Sequence, residues 1–409
     1  MKNFPAKPVL ALGAVIACVI ALSGCSNGSG GSGSNSGPIT IGVVGPQTGP
    51  LAEIGQNQVA GAEVAAAEIN KAGGVLGRKI KIVNKDEQQT PQTAATAVRD
   101  LSNSGVHLVV GMLDSAGCLA VAPTLPSLSV ALVDTGCTND GLTGQNGKAA
   151  PYANVFRTST DDDDLVINLA KTIAKKFPSV TNYSAFGYNY ITGTSQWALY
   201  QSSLKKDGVP LKVTSSTFVP IAQSDFSLQV QSLIGKVGTP KTSALYLGTF
   251  GSGTGTFLKQ SQSYDISKKF AVILQPGGYY PVARTLNGLA PNVWNAYDYN
   301  YKAFPSKANT QFVNDYKAKT GKLPIDWSYD SWVGVKAMAA AIKKAGTDDY
   351  AKVLATLPGL SFTTLSGTLT INKTTHQADA PVVVTNSVGD TKSPENVKIL
   401  STTVVKTGH

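Results

Sequence analysis

From residue 39 onwards, short runs of β-branched and other apolar residues alternate with segments that carry a helical apolar pattern. The first such series predicts strands at 39–45, 78–86, 106–111 and 129–134, and helices at 57–74 and 90–105. Alternation of this kind is typical of parallel strands joined by helices that cover both faces of one sheet.

The same alternation restarts after residues 157–161, where we place the break between two lobes. The second series predicts helices at 164–177, 195–208 and 225–238, and strands at 182–188, 213–220, 243–250 and 270–275. A chain of 409 residues is long enough for two domains. We therefore predict an α/β protein built from two doubly wound parallel-sheet lobes.

The first 38 residues differ from the rest in composition. Lys2 and Lys7 precede an apolar run at 9–22, which is too short for a comfortable membrane span. The run ends in LSGC, and this arrangement resembles a bacterial lipoprotein signal, in which the cysteine is acylated. We expect a signal peptide at 1–24, a lipid on Cys25 and a Gly/Ser tether over 25–38. The protein would then be extracytoplasmic and lipid-anchored, on the periplasmic side or at the cell surface.

Charge and cysteine usage narrow the function classes. The formal charge is +10, but the basic residues are spread along the chain, which argues against a nucleic-acid partner. Besides Cys18 in the leader and Cys25, only Cys118 and Cys137 remain. Two cysteines in an exported protein predict one disulfide, and they are too few for a metal site.

No catalytic motif stands out. The acidic run 161–164 comes directly before a predicted helix, which favours capping over metal binding. The loop 248–256 is rich in glycine but lacks the spacing of a nucleotide-binding motif. Since a nucleophile elbow is also missing, we expect neither an enzyme nor a cofactor.

The segment VVGPQTGPLAEIGQNQVAGAEVAAAEINKAGGVLGRKI at 43–80 resembles the start of the leucine/isoleucine/valine-binding proteins, the substrate-binding components of branched-chain amino-acid ABC importers. Similar stretches follow in order over 39–390, among them VVGMLDSAGCLAVAPTLPSLSVALVDTGCTNDGLT, FRTSTDDD and WSYDSWVGVKAMAAAIKKAG. The resemblance implies a type I periplasmic binding protein whose lobes, joined by three crossover strands, close on a small solute.

Transferred to this chain, the family fold gives a first lobe of 39–158 plus 299–362 and a second of 159–298 plus 363–409. The partners implied are a small-molecule solute and the permease and ATPase subunits of an importer, with the protein expected to be a monomer. Two alternatives stay open at this stage. They are a ligand-sensing ectodomain partner of a membrane receptor and, less favoured, an exported α/β hydrolase.

The resemblance also implies the ligand-binding residues. In the first lobe the family's contacts fall on Ile54, Ser115, Gly136 and Thr138, and the last three would hold the ligand's carboxylate and ammonium. Ser115 could instead only cap its helix. In the second lobe the contacts fall on Thr192 and Phe250, with Tyr188 and Tyr190 close by, either at the rim or in the core.

One departure from the family affects the expected ligand. Amino-acid binders carry an acid after the strand equivalent to 270–275, whereas this chain has Gln275 and Gly277 there. Asp114 could replace that acid if its side chain turned into the cleft. Without such a partner, a buried ammonium is costly, so a carboxylic acid, an amide or a polyol would fit better than leucine.

Overall fold

Five parallel strands form the first sheet in the computed structural model of the chain, which describes residues 37–144 and 151–407. These strands are β1 Ile39–Gly45, β2 Ile80–Asp86, β3 Leu108–Gly111, β4 Ala131–Asp134 and β5 Val155–Arg157, in the spatial order β2-β1-β3-β4-β5. Each neighbouring pair is parallel, as the βα alternation predicts.

The second sheet has seven strands and mixed pairing. They are β6 Asn182–Tyr188, β7 Lys212–Val219, β8 Ser243–Gly248, β9 Val272–Pro276, β10 Val293–Tyr297, β13 Val382–Gly389 and β14 Val397–Val405, in the order β14-β13-β10-β9-β8-β6-β7. The strands from β6 to β10 pair in parallel, and β13 and β14 add an antiparallel edge. A separate hairpin is formed by β11 Ser361–Thr364 and β12 Gly367–Thr370.

Twelve helices in the described residues accompany these strands. They are α1 Ala52–Lys71, α2 Pro91–Asn103, α3 Ser115–Val121, α4 Asp162–Lys176, α5 Ile191–Lys206, α6 Ser227–Gly235, α7 Gly251–Ser261, α8 Ile266–Lys269, α9 Tyr280–Arg284, α10 Lys307–Thr320, α11 Asp326–Ala345 and α12 Tyr350–Thr356. Three of them begin earlier than predicted: α4 starts at Asp162, and α1 and α5 start further ahead, at Ala52 and Ile191, within stretches whose glycine and polar residues suggest loops.

Both sheets are covered on both faces. In the first sheet, Val110 faces the core under α1 and α11, while its neighbour Val109 faces the core under α2 and α3. In the second sheet, Tyr246 packs with α4 and α5, whereas Leu245 packs with α6, α7 and α9. The alternation of neighbouring side chains therefore supplies four apolar cores, and the predicted doubly wound α/β architecture is confirmed.

The chain passes between the sheets three times. The first passage follows β5 and the second follows β10, close to the predicted positions at 158 and 298. The third differs from the predicted position after residue 362, because Phe362, Leu369 and Ala378 belong to the first lobe's core. Strand β13 begins only at Val382, so 363–378 lie with the first lobe rather than the second. Among the described strands, β11 and β12 pair only with each other, so the sequence pattern of this hairpin does not show which lobe's core its apolar face joins.

The acidic run at the start of α4 acts as a helix cap, as predicted. The side chain of Asp161 accepts a hydrogen bond from the backbone N–H of Asp164 at 2.8 Å. Among the described residues, none of the helices is long and apolar enough to cross a membrane. Cys25, the leader and most of the expected tether lie outside the described residues.

Candidate functional site

Two loops of the first lobe meet where parallel strands β3 and β4 end. Asp114 and Ser115 follow β3, and Gly136 and Thr138 follow β4. Because neighbouring parallel strands end at the same edge of a sheet, residues more than twenty positions apart in sequence come together here.

A disulfide joins the two loops, as the cysteine count predicts. Cys118 of α3 bonds to Cys137, with 6.5 Å between the Cα atoms, and both side chains are fully buried. Of the described residues, only these two cysteines and Asp134 bring three possible metal ligands close together. Since the sulfurs are bonded to each other, they do not offer thiolates to an ion.

Asp114, rather than Ser115, caps helix α3. Its Oδ2 accepts a hydrogen bond from the N–H of Gly117 at 2.9 Å, and Ser115 is the first helical residue. The reading in which Ser115 only caps the helix is therefore wrong. Both residues also line the cavity described next, and Oδ1 of Asp114 accepts a hydrogen bond from the hydroxyl of Tyr190.

A cavity of about 420 Å³ lies between the two lobes. Eight of the nine ligand-contact candidates line it, namely Ile54, Asp114, Ser115, Gly136, Thr138, Thr192, Phe250 and Gly277. The ninth, Gln275, is not part of the lining. Its buried side chain donates from Nε2 to the carbonyl of Thr249 at 3.1 Å and so ties two second-lobe strand ends together.

Further residues also line the cavity, and of these the sequence analysis placed only Tyr190 close to the site. They are Thr48, Gly49, Pro50, Leu51, Gln88, Gln89, Leu113, Leu165, Tyr190, Gln196, Ile221, Ala222, Pro276, Tyr297 and Trp327. Among the described residues that line the cavity, none is lysine, arginine or histidine. For Tyr297 and Trp327 the sequence gives no signal, since each belongs to an apolar run that also fits a core.

Aromatic rings form one wall of the cavity. The ring of Phe250 lies edge-on to those of Tyr188 and Tyr190, with centroid distances of 5.1 and 5.8 Å. Tyr188 is a buried core residue, whereas Tyr190 lines the cavity, so the two tyrosines divide between the two expected roles. Tyr297 packs against Trp327 at 5.2 Å.

Direct hydrogen bonds cross the cleft. The hydroxyl of Tyr190, which precedes α5 in the second lobe, donates to Oδ1 of Asp114 and accepts from the N–H of Ala116 at 3.1 Å. On another side, Arg284 of α9 pairs with Glu53 of α1 at 2.5 Å. The two lobes are therefore in direct contact across the cleft.

An apolar contact between the lobes depends on a glycine. Gly251 has a φ of +57°, and a Cβ there would lie 2.6 Å from the Cδ2 atom of Leu51. Next to this contact is a second interlobe cavity of about 510 Å³. It shares Gly49, Pro50, Ile54 and Trp327 with the first.

Buried carboxyl groups stand behind the cavity lining. Burial raises the pKa of Glu87 to about 8, although its hydrogen bonds from Asp114 and Leu113 N–H oppose the shift. Burial likewise raises the pKa of Asp134 to about 6, against the opposing charge of Arg157. At neutral pH we therefore expect Asp134 to be mostly ionised and Glu87 mostly protonated.

Arg157 is the cation of this region, and the sequence analysis did not single it out. It is the fully buried last residue of β5 and donates to the carbonyls of Cys137 and Asn139 at 3.0 and 2.8 Å. Its other nitrogens reach Gln377 at 2.6 Å and Thr143 at 2.8 Å. Arg157 thereby fixes the loop that carries Thr138 to the strands that cross between the lobes.

Comparison with known proteins agrees with this geometry. The family model described as periplasmic binding protein matches residues 38–392. The chain is similar to Leu/Ile/Val-binding protein homolog 3 of Brucella melitensis, with 27% identity covering 82% of this chain and 88% of the relative. It is also similar to the Leu/Ile/Val-binding protein of Escherichia coli K12, with 25% identity covering 81% and 86%.

Solved structures share the fold. One is the branched-chain amino acid transporter substrate binding protein LivJ of Streptococcus pneumoniae with isoleucine, with a TM-score of 0.76 and 21% identity, covering 90% of this chain and 100% of that one. Another is a Rhodopseudomonas palustris solute binding protein with 3,4-dihydroxybenzoic acid, with a TM-score of 0.75 and 20% identity, covering 90% and 98%. Two lobes around a solute-sized cavity and a family match over most of the chain lead to one conclusion, that this chain belongs to the periplasmic binding protein family.

Proposed function

We propose that the protein captures a small polar solute between its two lobes and delivers it to the membrane permease of an ABC importer. The observation that carries the proposal is the cavity of about 420 Å³, because residues of both lobes line it. The Leu/Ile/Val-binding proteins among the relatives support a transport role.

Closure would follow from the position of the ligand. A solute that contacts both lobes binds the closed form more tightly than the open form, and it shifts the equilibrium by that difference in affinity. The closed form then presents one surface to the permease, whose ATPase subunits supply the energy for transport. The role needs neither a cofactor nor a chemical step, and we expect the protein to act as a monomer.

The proposed ligand-binding residues are Ile54, Asp114, Ser115, Gly136, Thr138, Thr192, Phe250 and Gly277, together with Tyr190, which also lines the cavity. The ligand would be an amino acid, or a carboxylate, amide or polyol of similar size. The polar groups of the first lobe would hold its polar end, and Phe250 and Ile54 its apolar part.

Native mass spectrometry of the purified protein tests the proposal by weighing any solute that co-purifies. A ligand found in this way should raise the melting temperature, because it binds the folded state alone. The absence of both a co-purified solute and a thermal shift with any member of a broad metabolite collection would contradict the proposal.

Alanine substitutions then test the placement of the site. Ser115→Ala and Thr138→Ala should each weaken binding of that ligand by about 1–3 kcal/mol, the range for a lost buried hydrogen bond. Thr310→Ala, at an exposed position of α10, is the matched control. Unchanged affinity in both cleft variants would refute the placement.

We further propose that Cys25 carries a lipid and that residues 26–38 tether the folded part to a membrane face. The support is the LSGC sequence after an apolar run. Intact mass spectrometry of the mature protein should show an acylated N-terminal Cys25, and Cys25→Ser should move the protein from the membrane to the soluble fraction. A mature chain that begins elsewhere, or one without acyl groups, would disprove the anchor.

A further inference from the structure

Three backbone donors after β3, the N–H groups of Leu113, Asp114 and Gly117, already have acidic side chains as partners. Oε1 of the buried Glu87 accepts hydrogen bonds from the N–H groups of Leu113 and Asp114, both at 3.1 Å. Oδ2 of Asp114 accepts from Gly117 at 2.9 Å. Two acidic side chains therefore occupy donors that a ligand carboxylate would otherwise use.

The loop after β4 repeats this arrangement. Oδ1 of the fully buried Asp134 accepts from the N–H groups of Gly136 and Cys137, at 3.0 and 2.9 Å. Gly136 is a lining residue, so this loop also meets the cavity with these two donors turned to a protein carboxyl group.

A tyrosine of the second lobe accepts a hydrogen bond from one more backbone N–H of the first lobe. The N–H of Ala116 donates to the hydroxyl of Tyr190, and that hydroxyl donates to Asp114. When the lobes close, the phenol side chain of Tyr190 therefore lies between the start of α3 and the cavity.

The part of the lining that the structure describes offers these acids no cation. It includes no lysine, arginine or histidine, and the nearby Arg157 is engaged with Gln377, Thr143 and two backbone carbonyls. A buried carboxylate without a positive or hydrogen-bonding partner is strongly disfavoured.

A hydrogen-bond donor on the ligand would find an acceptor in the side chain of Asp114. An ionised carboxylate has about four acceptor positions, and Asp114 uses one for Gly117 and one for Tyr190. The hydroxyls of Ser115 and Thr138 can donate or accept, so they suit an uncharged ligand. The rings of Phe250 and Trp327 would cover an apolar body.

We infer that the cleft selects a ligand without a carboxylate, which presents a hydroxyl, an amide N–H or an ammonium to Asp114. This inference rests on the proposed solute-binding function and narrows its ligand class. It differs from the contact pattern implied by the resemblance, in which the same loops hold a carboxylate.

Three matched pairs of probes test it: isoleucine with isoleucinamide, benzoate with benzamide, and glycerate with glycerol. Calorimetric titration at pH 7 should give the carboxylate-free member at least about tenfold higher affinity in each pair that binds. Isoleucinamide carries an ammonium and the other two carboxylate-free probes do not, so the probes also separate the two kinds of donor.

Asp114→Asn removes the charge with little change in shape, and should reduce the preference by about tenfold. Asp349→Asn is the control, since Asp349 likewise caps a helix of seven residues and lies outside both cavities. Even if Asp114→Asn does not fold, the probe pairs test the ligand preference on the unaltered protein.

Tighter binding of the carboxylates would overturn the inference and leave the proposed function intact. An unchanged preference in a folded Asp114→Asn variant would overturn the role of Asp114. If none of the probes binds, a co-purified ligand without a carboxylate supports the inference and one with a carboxylate refutes it. If no solute co-purifies either, the proposed function itself fails.

Discussion

Replacing Arg157 with methionine would remove the cation that joins the cleft loop to the crossing strands. The side chain is fully buried, and its guanidinium donates to Gln377 Oε1, Thr143 Oγ1 and the carbonyls of Cys137 and Asn139. Methionine fills a similar volume but satisfies none of these acceptors. The variant would therefore leave several buried oxygens without a donor.

The magnitude follows from these contacts and from the neighbouring acids. Asp161 lies 3.5 Å from the guanidinium, and the positive charge also lowers the pKa of Asp134 and of Asp140 against the effect of burial. Removal of one partner from a buried ion pair costs about 3–5 kcal/mol. Because native stability is only about 5–15 kcal/mol, Arg157→Met should remove a large fraction of the free energy of unfolding.

Urea unfolding followed by circular dichroism measures this loss. The stability of Arg157→Lys should lie between those of the wild type and Arg157→Met, because lysine keeps the positive charge but lacks the planar guanidinium with its several donors. Arg99→Met, at an exposed position of α2, should change stability by less than about 0.5 kcal/mol. An Arg157→Met variant as stable as the Arg99→Met control would refute the reasoning.

Three further outcomes are expected. Tyr190→Phe should weaken ligand binding roughly tenfold or more, because a hydrogen bond to a carboxylate across the cleft contributes about 1.5–3 kcal/mol. The variant should also shift the small-angle scattering profile toward that of the open form. An unchanged scattering profile and an unchanged affinity would contradict this. The raised pKa of Glu87 makes the folded state bind more protons than the unfolded state, so its contribution to stability falls as pH rises from about 4.5 to 8. Glu87→Gln should therefore flatten the stability profile over that range by up to about 1.4 kcal/mol per pH unit, and a parallel profile would count against it. Replacing Cys118 and Cys137 by serine should lower stability by about 3 kcal/mol and weaken binding, whereas two free thiols in the exported protein would exclude the bond.

Part of the site could be predicted from sequence because it follows the ends of strands. Ser115 follows shortly after an apolar run that predicts a strand, and the family resemblance implied Thr138 after the next strand; in the structure both line the cavity. Gln275 also comes near a strand end, but its side chain turns to Thr249. Alternation along a strand reverses with each residue, so an offset of one position sends a side chain to the other face.

Local patterns in the sequence were sufficient for the α/β architecture, the two lobes and the capped start of α4. Those features depend on the periodicity of neighbouring residues and on short-range hydrogen bonds, which the order of residues specifies directly. The composition of the cleft depended on tertiary structure. Tyr190 meets Asp114 only when the lobes approach, and Trp327 reaches the cavity because α11 begins between them. Such contacts join segments far apart in the chain, and no local pattern encodes which loops will face each other across the gap.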